Sequence, residues 1–253
     1  MSTQGIIPTR RPVPDTLFGG RLRGSYLLDL EVVDVRDLAP HVRSVTVASS
    51  DLVGFEYAPG QDLMIEFPDG AGSVRRRYTI RHADSAAGLA ELEFELYDGI
   101  GPATLWAAHA EPGDRLEAIG PRGGIGLRTA ATSHVFVADD SAMPAAFAML
   151  EALPPHASAA AVLVTPHGPL SRPGPNGVAD MRQLWVTDAQ LPEVIAGLDL
   201  EPPVASYVNG ERHLVFRVVE LLRSAGLDQA ATVSKAYWRR DQPNAAHGEP
   251  SHD

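Results

Sequence analysis

The sequence predicts two domains of different class, a six-stranded antiparallel β-barrel followed by an α/β domain. Three observations carry this. The chain has 253 residues and 44% hydrophobic content, more than a typical single domain needs and enough for two modest cores. Up to about residue 128, apolar and charged residues alternate with a period of two, as in half-buried strands. Beyond about residue 131, apolar runs alternate with helical segments, the pattern of an α/β unit.

In chain order, residues 1–20 mix Pro, Gly, Thr and Arg without periodicity and read as an extended or flexible lead-in. The barrel is expected over residues 21–128. Its strands are read from Leu28, Leu30 and Val32 against Asp29 and Glu31, from Val45 and Val47 near Arg43, and from Leu92, Phe94 and Leu96 against Glu91, Glu93 and Glu95. Further strands are expected at 63–67, 76–82 and 115–119, divided by the turns Pro59-Gly60, Asp69-Gly70 and Pro112-Gly113. About six short strands with one polar face suggest a small closed barrel. The α/β domain is expected over 129–240. Strands are read at 134–138, 160–164, 184–187, 205–209 and 232–238, with helices through Met149-Leu150 and over 214–225. Residues 241–253 resemble the lead-in and read as a flexible tail.

Composition narrows the function. There is no Cys, so disulfides, thiolate nucleophiles and sulfur-ligated metals are excluded, and redox chemistry must come from a bound cofactor. The nine His residues are scattered, and no metal ligand set is expected. A formal net charge of −11 argues against a general binder of nucleic acid or membrane surface. The N-terminus has no apolar run of signal-peptide length and no later stretch approaches the roughly 18 apolar residues that span a bilayer, so a cytoplasmic location is expected. Anionic ligands must therefore be met by local clusters of Arg and by Lys235, the only lysine.

One segment offers such a cluster. In Arg76-Arg77-Tyr78-Thr79-Ile80-Arg81, alternation puts Arg76, Tyr78 and Ile80 on one face and Arg77, Thr79 and Arg81 on the other. A flavin needs an aromatic face, a hydroxyl near N5 and guanidinium groups for its diphosphate. Upstream stands a Pro59-Gly60-Gln61 turn. Downstream, Gly101-Pro102-Ala103-Thr104 reads as a glycine-opened helix start, whose free N–H groups suit an anion.

Arg-x-Tyr-Thr after a Pro-Gly-Gln turn resembles the ferredoxin reductase superfamily, and the chain is identified within it as a member of the siderophore-interacting protein, or ferric-siderophore reductase, family. The resemblance continues in Trp106-Ala107, Pro112-Gly113-Asp114, Gly120-Pro121-Arg122-Gly123, Asp139 to Ala145, Asn209-Gly210-Glu211 and Tyr237-Trp238-Arg239-Arg240. It implies an FAD-binding barrel and an NAD(P)H-binding-like α/β domain. It implies that Arg76 meets the FAD phosphates, Tyr78 stacks by the isoalloxazine and Thr79 bonds near N5, these last two being the catalytic candidates. Ile80, Arg81, Tyr97 and Gly101, Pro102, Ala103 and Thr104 would complete the FAD site, while Asp140 and Ser141 would stand where the nicotinamide nucleotide binds. An anionic ferric siderophore would meet Arg122, Lys235, Tyr237, Trp238, Arg239 and Arg240, with Lys235, Tyr237 and Arg239 expected on one strand face.

The chain departs from the family pattern at Tyr97, where a His is usual, at Ala138-Asp139-Asp140-Ser141 in place of Gly-Asp-Glu-Thr, and at Ala236 before Tyr237. These departures leave open a family member turned to cyclisation or oxidation of an organic substrate, and a carrier that binds the chelate without turnover. The Gly-rich run 120–126 lacks the Lys-Ser/Thr of a phosphate loop, no Gly-x-Ser-x-Gly elbow occurs, and the Glu91, Glu93, Glu95 comb reads as a solvated strand face.

Overall fold

The computed structural model describes residues 10–14, 25–70, 72–96, 101–123, 125–170 and 180–240. The chain divides into two compact units, Met1–Gly126 and Leu127–Asp253. Tyr97 and the tail 241–253 lie outside the described residues, as does most of the lead-in.

The first unit is a curled antiparallel sheet of β1 (Arg11–Pro12), β2 (Tyr26–Ala39), β3 (Val42–Ala48), β4 (Asp62–Asp69), β5 (Gly72–Thr79), β6 (His82–Asp84), β7 (Leu89–Glu95) and β8 (Arg115–Arg122). The strands pair in the order β5-β4-β8-β2-β3-β7-β6, with β1 on β2. The two ends of this order are consecutive in the chain. β5 runs through Ile80, whose N–H donates to Gln61 O (2.9 Å), and Arg81, whose N–H donates to Glu91 O (2.9 Å), into β6. Counted as one bent strand, β5 and β6 bring the order back on itself with six main strands, in agreement with the predicted barrel class. Leu28, Leu30, Val45, Ile65, Leu92 and Phe94 fill the interior. Their alternation with charged neighbours is the period-two pattern of the sequence made physical.

Within the lead-in, Arg10 to Pro14 are placed. Arg10 donates to the carbonyls of Asp51 (2.7 Å) and Val53 (2.5 Å) and lies over the rings of Tyr26 and Phe55. A short helix, α1 (Pro102–His109), packs its Ala103 and Ala107 against the barrel core.

The second unit is a parallel sheet of β9 (Ser133–Asp139), β10 (Ser158–Val164), β11 (Asp180–Val186), β12 (Val204–Glu211) and β13 (Thr232–Trp238), in the order β11-β10-β9-β12-β13. The chain moves outward from β9 to β10 and β11, then returns to the other side of β9 for β12 and β13. This reversal makes the carboxyl ends of β9 and β12 a topological switch point, where open α/β sheets bind ligands. Helices α3 (Leu191–Ala196) and α4 (Arg212–Ser224) bury Leu191, Ile195, Leu214, Val215, Val218 and Leu222 on one face. Helix α2 (Met143–Glu151), the crossover from β9 to β10, covers the other. There His134, Phe136 and Tyr207 stack, and the Tyr207 hydroxyl accepts from the Arg128 N–H at 2.8 Å. Burial lowers the His134 pKa, against a backbone hydrogen bond with Ala131. Among the described residues no helix is long and apolar enough to cross a membrane.

Two hairpin glycines share left-handed backbone but differ in surroundings. Gly70 has φ 58° and open space where a Cβ would stand, whereas Gly88, φ 69°, would place one 2.7 Å from the Ser49 carbonyl oxygen and 3.0 Å from Val53 Cγ2. Gly70→Ala should cost about 1 kcal/mol of strain. Gly88→Ala should cost a further ~1–3 kcal/mol of overpacking. Chemical denaturation of both variants checks this, and equal losses would contradict the packing of the β6–β7 hairpin.

Candidate functional site

Three consecutive arginines on β5 are sorted by strand alternation. Arg75 and Arg77 point outward, and β4 provides a carboxylate for each. Glu66 lies 2.9 Å from Arg75, and buried Asp62 accepts from Arg77 Nε at 2.9 Å and Nη2 at 2.5 Å. Donation from Ser73 and then Arg75 holds the Glu66 carboxyl below its usual range. Arg76 lies between them on the inner face, in register with Ile65. Its guanidinium donates to the Arg75 carbonyl (2.9 Å), and among the described residues no carboxylate pairs with it. One cation of the three is thus left without a compensating carboxylate among the described residues.

The rest of the segment is packed rather than open. Tyr78 stands 4.1 Å, centroid to centroid, from Phe94 and 5.7 Å from Phe67. Burial, and then the nearby Glu95 carboxylate, push its hydroxyl well above the ordinary phenol range. Thr79 is buried on the opposite face, opposite Asp62, and the Ile80 side chain is fully inside the core, so what Ile80 can offer a ligand is backbone. Arg81 lies 3.6 Å from Glu93, both side chains being largely buried. The Glu comb is therefore not the solvated face expected from the sequence. Glu93 is covered by Arg81, and Glu91 accepts from Ser44 Oγ at 2.5 Å and from Arg36.

Gly101 opens α1 in extended backbone with no side-chain cap, and Pro102 takes the first helical position. A terminus of this kind can present its first-turn N–H groups to an anion. Beside this terminus a groove of about 270 Å³ is lined by Pro68, Asp69, Gly70, Pro102, Leu105 and Trp106.

In the second unit the switch point is organised by Asp139. Its carboxylate accepts from Ser141 Oγ (2.6 Å), the Glu211 N–H (2.7 Å) and Trp238 Nε1 (3.1 Å), tying together the ends of β9, β12 and β13. Gly210, φ 138°, brings its backbone so close that a Cβ would lie 2.6 Å from the Asp139 carboxyl carbon. Glu211 caps α4, accepting from the N–H groups of His213 (2.6 Å) and Leu214 (3.1 Å), and takes a third N–H from Arg240. Burial pushes its pKa up, but these donations outweigh it and leave the carboxyl below its usual range. Asp140 follows, its pKa raised by burial against a hydrogen bond from Thr165 and the charge of His167.

Lys235 and Tyr237 meet as expected, with Nζ 5.6 Å from the ring centroid. Arg239 does not share their strand face. A register shift between Gly210 and Glu211 makes Tyr237 the extra residue of a bulge, and β13 ends at Trp238, so alternation stops before Arg239. Among the described residues neither the Arg239 nor the Arg240 guanidinium pairs with a carboxylate, although the Arg240 N–H donates to Glu211, while Trp238 is bonded to Asp139. Arg122, in the first unit, points Nη1 at Met64 Sδ (2.8 Å). Sequence reasoning missed the work of Asp139, Glu211, Asn209 and Thr165. An acidic residue directly after an apolar strand was the available signal. Among the described residues no three His, Asp or Glu side chains are grouped to hold a metal.

Comparison with known proteins gives the same division. The siderophore-interacting protein family matches residues 131–241 and the siderophore-interacting FAD-binding domain matches residues 59–125. An uncharacterised protein of Mycobacterium tuberculosis is 31% identical over 163 residues, covering 54% of this chain and 56% of that one, so the chain spans little more than half of that relative's length. The ferric vibriobactin reductase ViuB of Vibrio cholerae is 24% identical over 258 residues, 88% of this chain and 93% of that protein. Among solved structures, a siderophore utilization protein from T. fusca matches with a TM-score of 0.76 at 28% identity, covering 89% of this chain and 97% of that one.

Burial raises the Asp139 carboxyl above its ordinary range, against the donations of Ser141, Glu211 and Trp238. The folded state thus holds this proton more tightly than the unfolded chain does, so ionising Asp139 costs stability as pH rises from the unfolded pKa through the folded one. Below the unfolded value the cost is absent. Denaturation of wild type and Asp139→Asn side by side should show wild type gaining relative to the variant as pH falls from about 7 toward about 4. A pH-independent difference would contradict a raised Asp139.

Proposed function

Because this chain belongs to the siderophore-interacting protein family, we propose that it is an FAD-dependent oxidoreductase that passes electrons from NAD(P)H to an anionic ferric siderophore, releasing Fe(II). The observation that carries the reading is Arg76, the β5 arginine left without a carboxylate while Arg75 and Arg77 are compensated from β4.

The residues of the first unit fit FAD. A guanidinium and an uncapped helix terminus together suit a diphosphate, which FAD has and FMN lacks. The groove beside α1, walled by Pro102, Leu105 and Trp106, suits a flat ring system joined to that diphosphate. Tyr78, backed by Phe94, would give the isoalloxazine a rigid aromatic neighbour, Thr79 a hydroxyl near N5, and Arg81, steadied by Glu93, a charge near the polar edge. When bound, FAD would take the hydride of the nicotinamide nucleotide and yield its electrons singly to ferric iron. The protein's part is to bind, orient and exclude water. The switch point around Asp140 and Ser141 would receive the nucleotide. Hard oxygen ligands hold Fe(III) far better than Fe(II), so reduction loosens the chelate.

Arg122, Lys235, Arg239 and Arg240 would draw the siderophore, with Tyr237 and Trp238 as aromatic neighbours. In a chain of net charge −11 such cations are the local exception.

Two measurements test this. Arg76→Ala should weaken FAD binding at least roughly tenfold, the loss of one charge-assisted contact. Arg77→Ala should spare FAD affinity and lower stability, because it strands buried Asp62. Equal losses of flavin, or release of FMN on denaturation, would overturn the assignment. Charge reversal at Lys235 or Arg239 should weaken ferric tricatecholate binding roughly tenfold with flavin content unchanged, and added salt should weaken it further. Salt-independent binding indifferent to both changes would remove the siderophore.

A further inference from the structure

Among the described residues, two buried oxygens at the switch point of the second unit have no hydrogen-bond partner, Oδ1 of Asn209 and Oδ1 of Asp140. Asn209 is only 2% exposed. It sits on β12 in register with Ala138 of β9 on one side and Lys235 of β13 on the other. The turn Asp140 to Ala142 directly follows β9 and packs against β12, which puts both residues at the same end of neighbouring strands. Leaving a buried acceptor unmet is costly, so this end of the sheet calls for a ligand that donates.

The donor chemistry can be narrowed. The diphosphate bridge of a dinucleotide has no hydrogen to give at neutral pH. A cation is disfavoured because Lys235 flanks Asn209 in register. A ribose hydroxyl donates but also turns acceptor lone pairs toward an acceptor-lined site, whereas the nitrogen of a primary carboxamide is donor only and carries two hydrogens. We infer that Asn209 and Asp140 are specificity-determining residues that accept from the carboxamide NH₂ of the nicotinamide ring. This rests on the nucleotide being the electron donor; the adenine amino group is the other donor-only NH₂ of a dinucleotide, and analogues altered at the nicotinamide end alone separate the two.

The test uses the full-length, FAD-loaded protein and measures dissociation constants by tryptophan fluorescence for three oxidised dinucleotides. One carries the carboxamide, one a methyl ketone in its place (3-acetylpyridine adenine dinucleotide) and one a carboxylate (nicotinic acid adenine dinucleotide). Wild type should bind both analogues at least about tenfold more weakly than the amide. Asn209→Leu, and independently Asp140→Ala, should shrink that preference to about threefold or less, chiefly by weakening the amide. Asn209→Leu should also melt no lower than wild type, since it removes an unmet buried acceptor. Should Asn209→Leu not fold, Asp140→Ala and the wild-type series decide alone. Equal binding of all three by wild type, or full discrimination kept in the variants, overturns the inference and leaves the reductase standing. Failure of every dinucleotide to bind removes both the inference and the nicotinamide donor.

Discussion

On β5 the period of two decides which of three adjacent arginines is compensated by a carboxylate and which is not, and the proposed chemistry of the first unit rests on that constraint. Val74, Tyr78 and Ile80 are drawn inward by the core, which fixes the register of the strand against β4. Arg75 and Arg77 are thereby turned to Glu66 and Asp62, and Arg76 is not. A slip of one residue would reverse every side chain, turn the paired arginines inward and turn the lone one to the β4 carboxylates. A core-packing preference worth ~1.5–3 kcal/mol per large apolar side chain thus positions a cation in an acidic protein.

The second unit solves a different problem. Asp139 gathers a hydroxyl, a backbone N–H and an indole N–H from three chain segments, and Gly210 is close enough to that carboxylate to leave no room for a side chain. With Glu211 capping α4, the end of the sheet is built from acceptors. Oδ1 of Asn209 and Oδ1 of Asp140 add two acceptors that meet no donor among the described residues. The two units therefore differ in the chemistry they offer: free cationic and N–H donors near Arg76 and α1, acceptors at the switch point.

Much of this was legible in the residues. Alternation in Leu28 to Val32 and Leu92 to Leu96 gave the barrel strands, and the β13 segment was read with its observed bounds. The Arg76/Arg77 division of faces followed from geometry alone. What was not legible depended on partners remote in sequence. That Glu93 is buried requires Arg81 to fold over it, and the exclusion of Arg239 from the Lys235 face requires a bulge set by β12. Nothing local to Asn209 announces an unmet buried oxygen, because that property belongs to its neighbours on β9 and β13. The helix α3 was missed because six residues hold too few turns for a helical period to show.

The central claim is electron transfer from nicotinamide nucleotide to ferric chelate through FAD held by this chain. Anaerobic stopped-flow absorption of the FAD-loaded protein tests it most directly. NADH or NADPH should bleach the flavin band, and ferric tricatecholate should then restore it with about two ferric ions reduced per flavin. A flavin that stays oxidised with both nucleotides, or a reduced flavin that the chelate cannot reoxidise, would contradict the account.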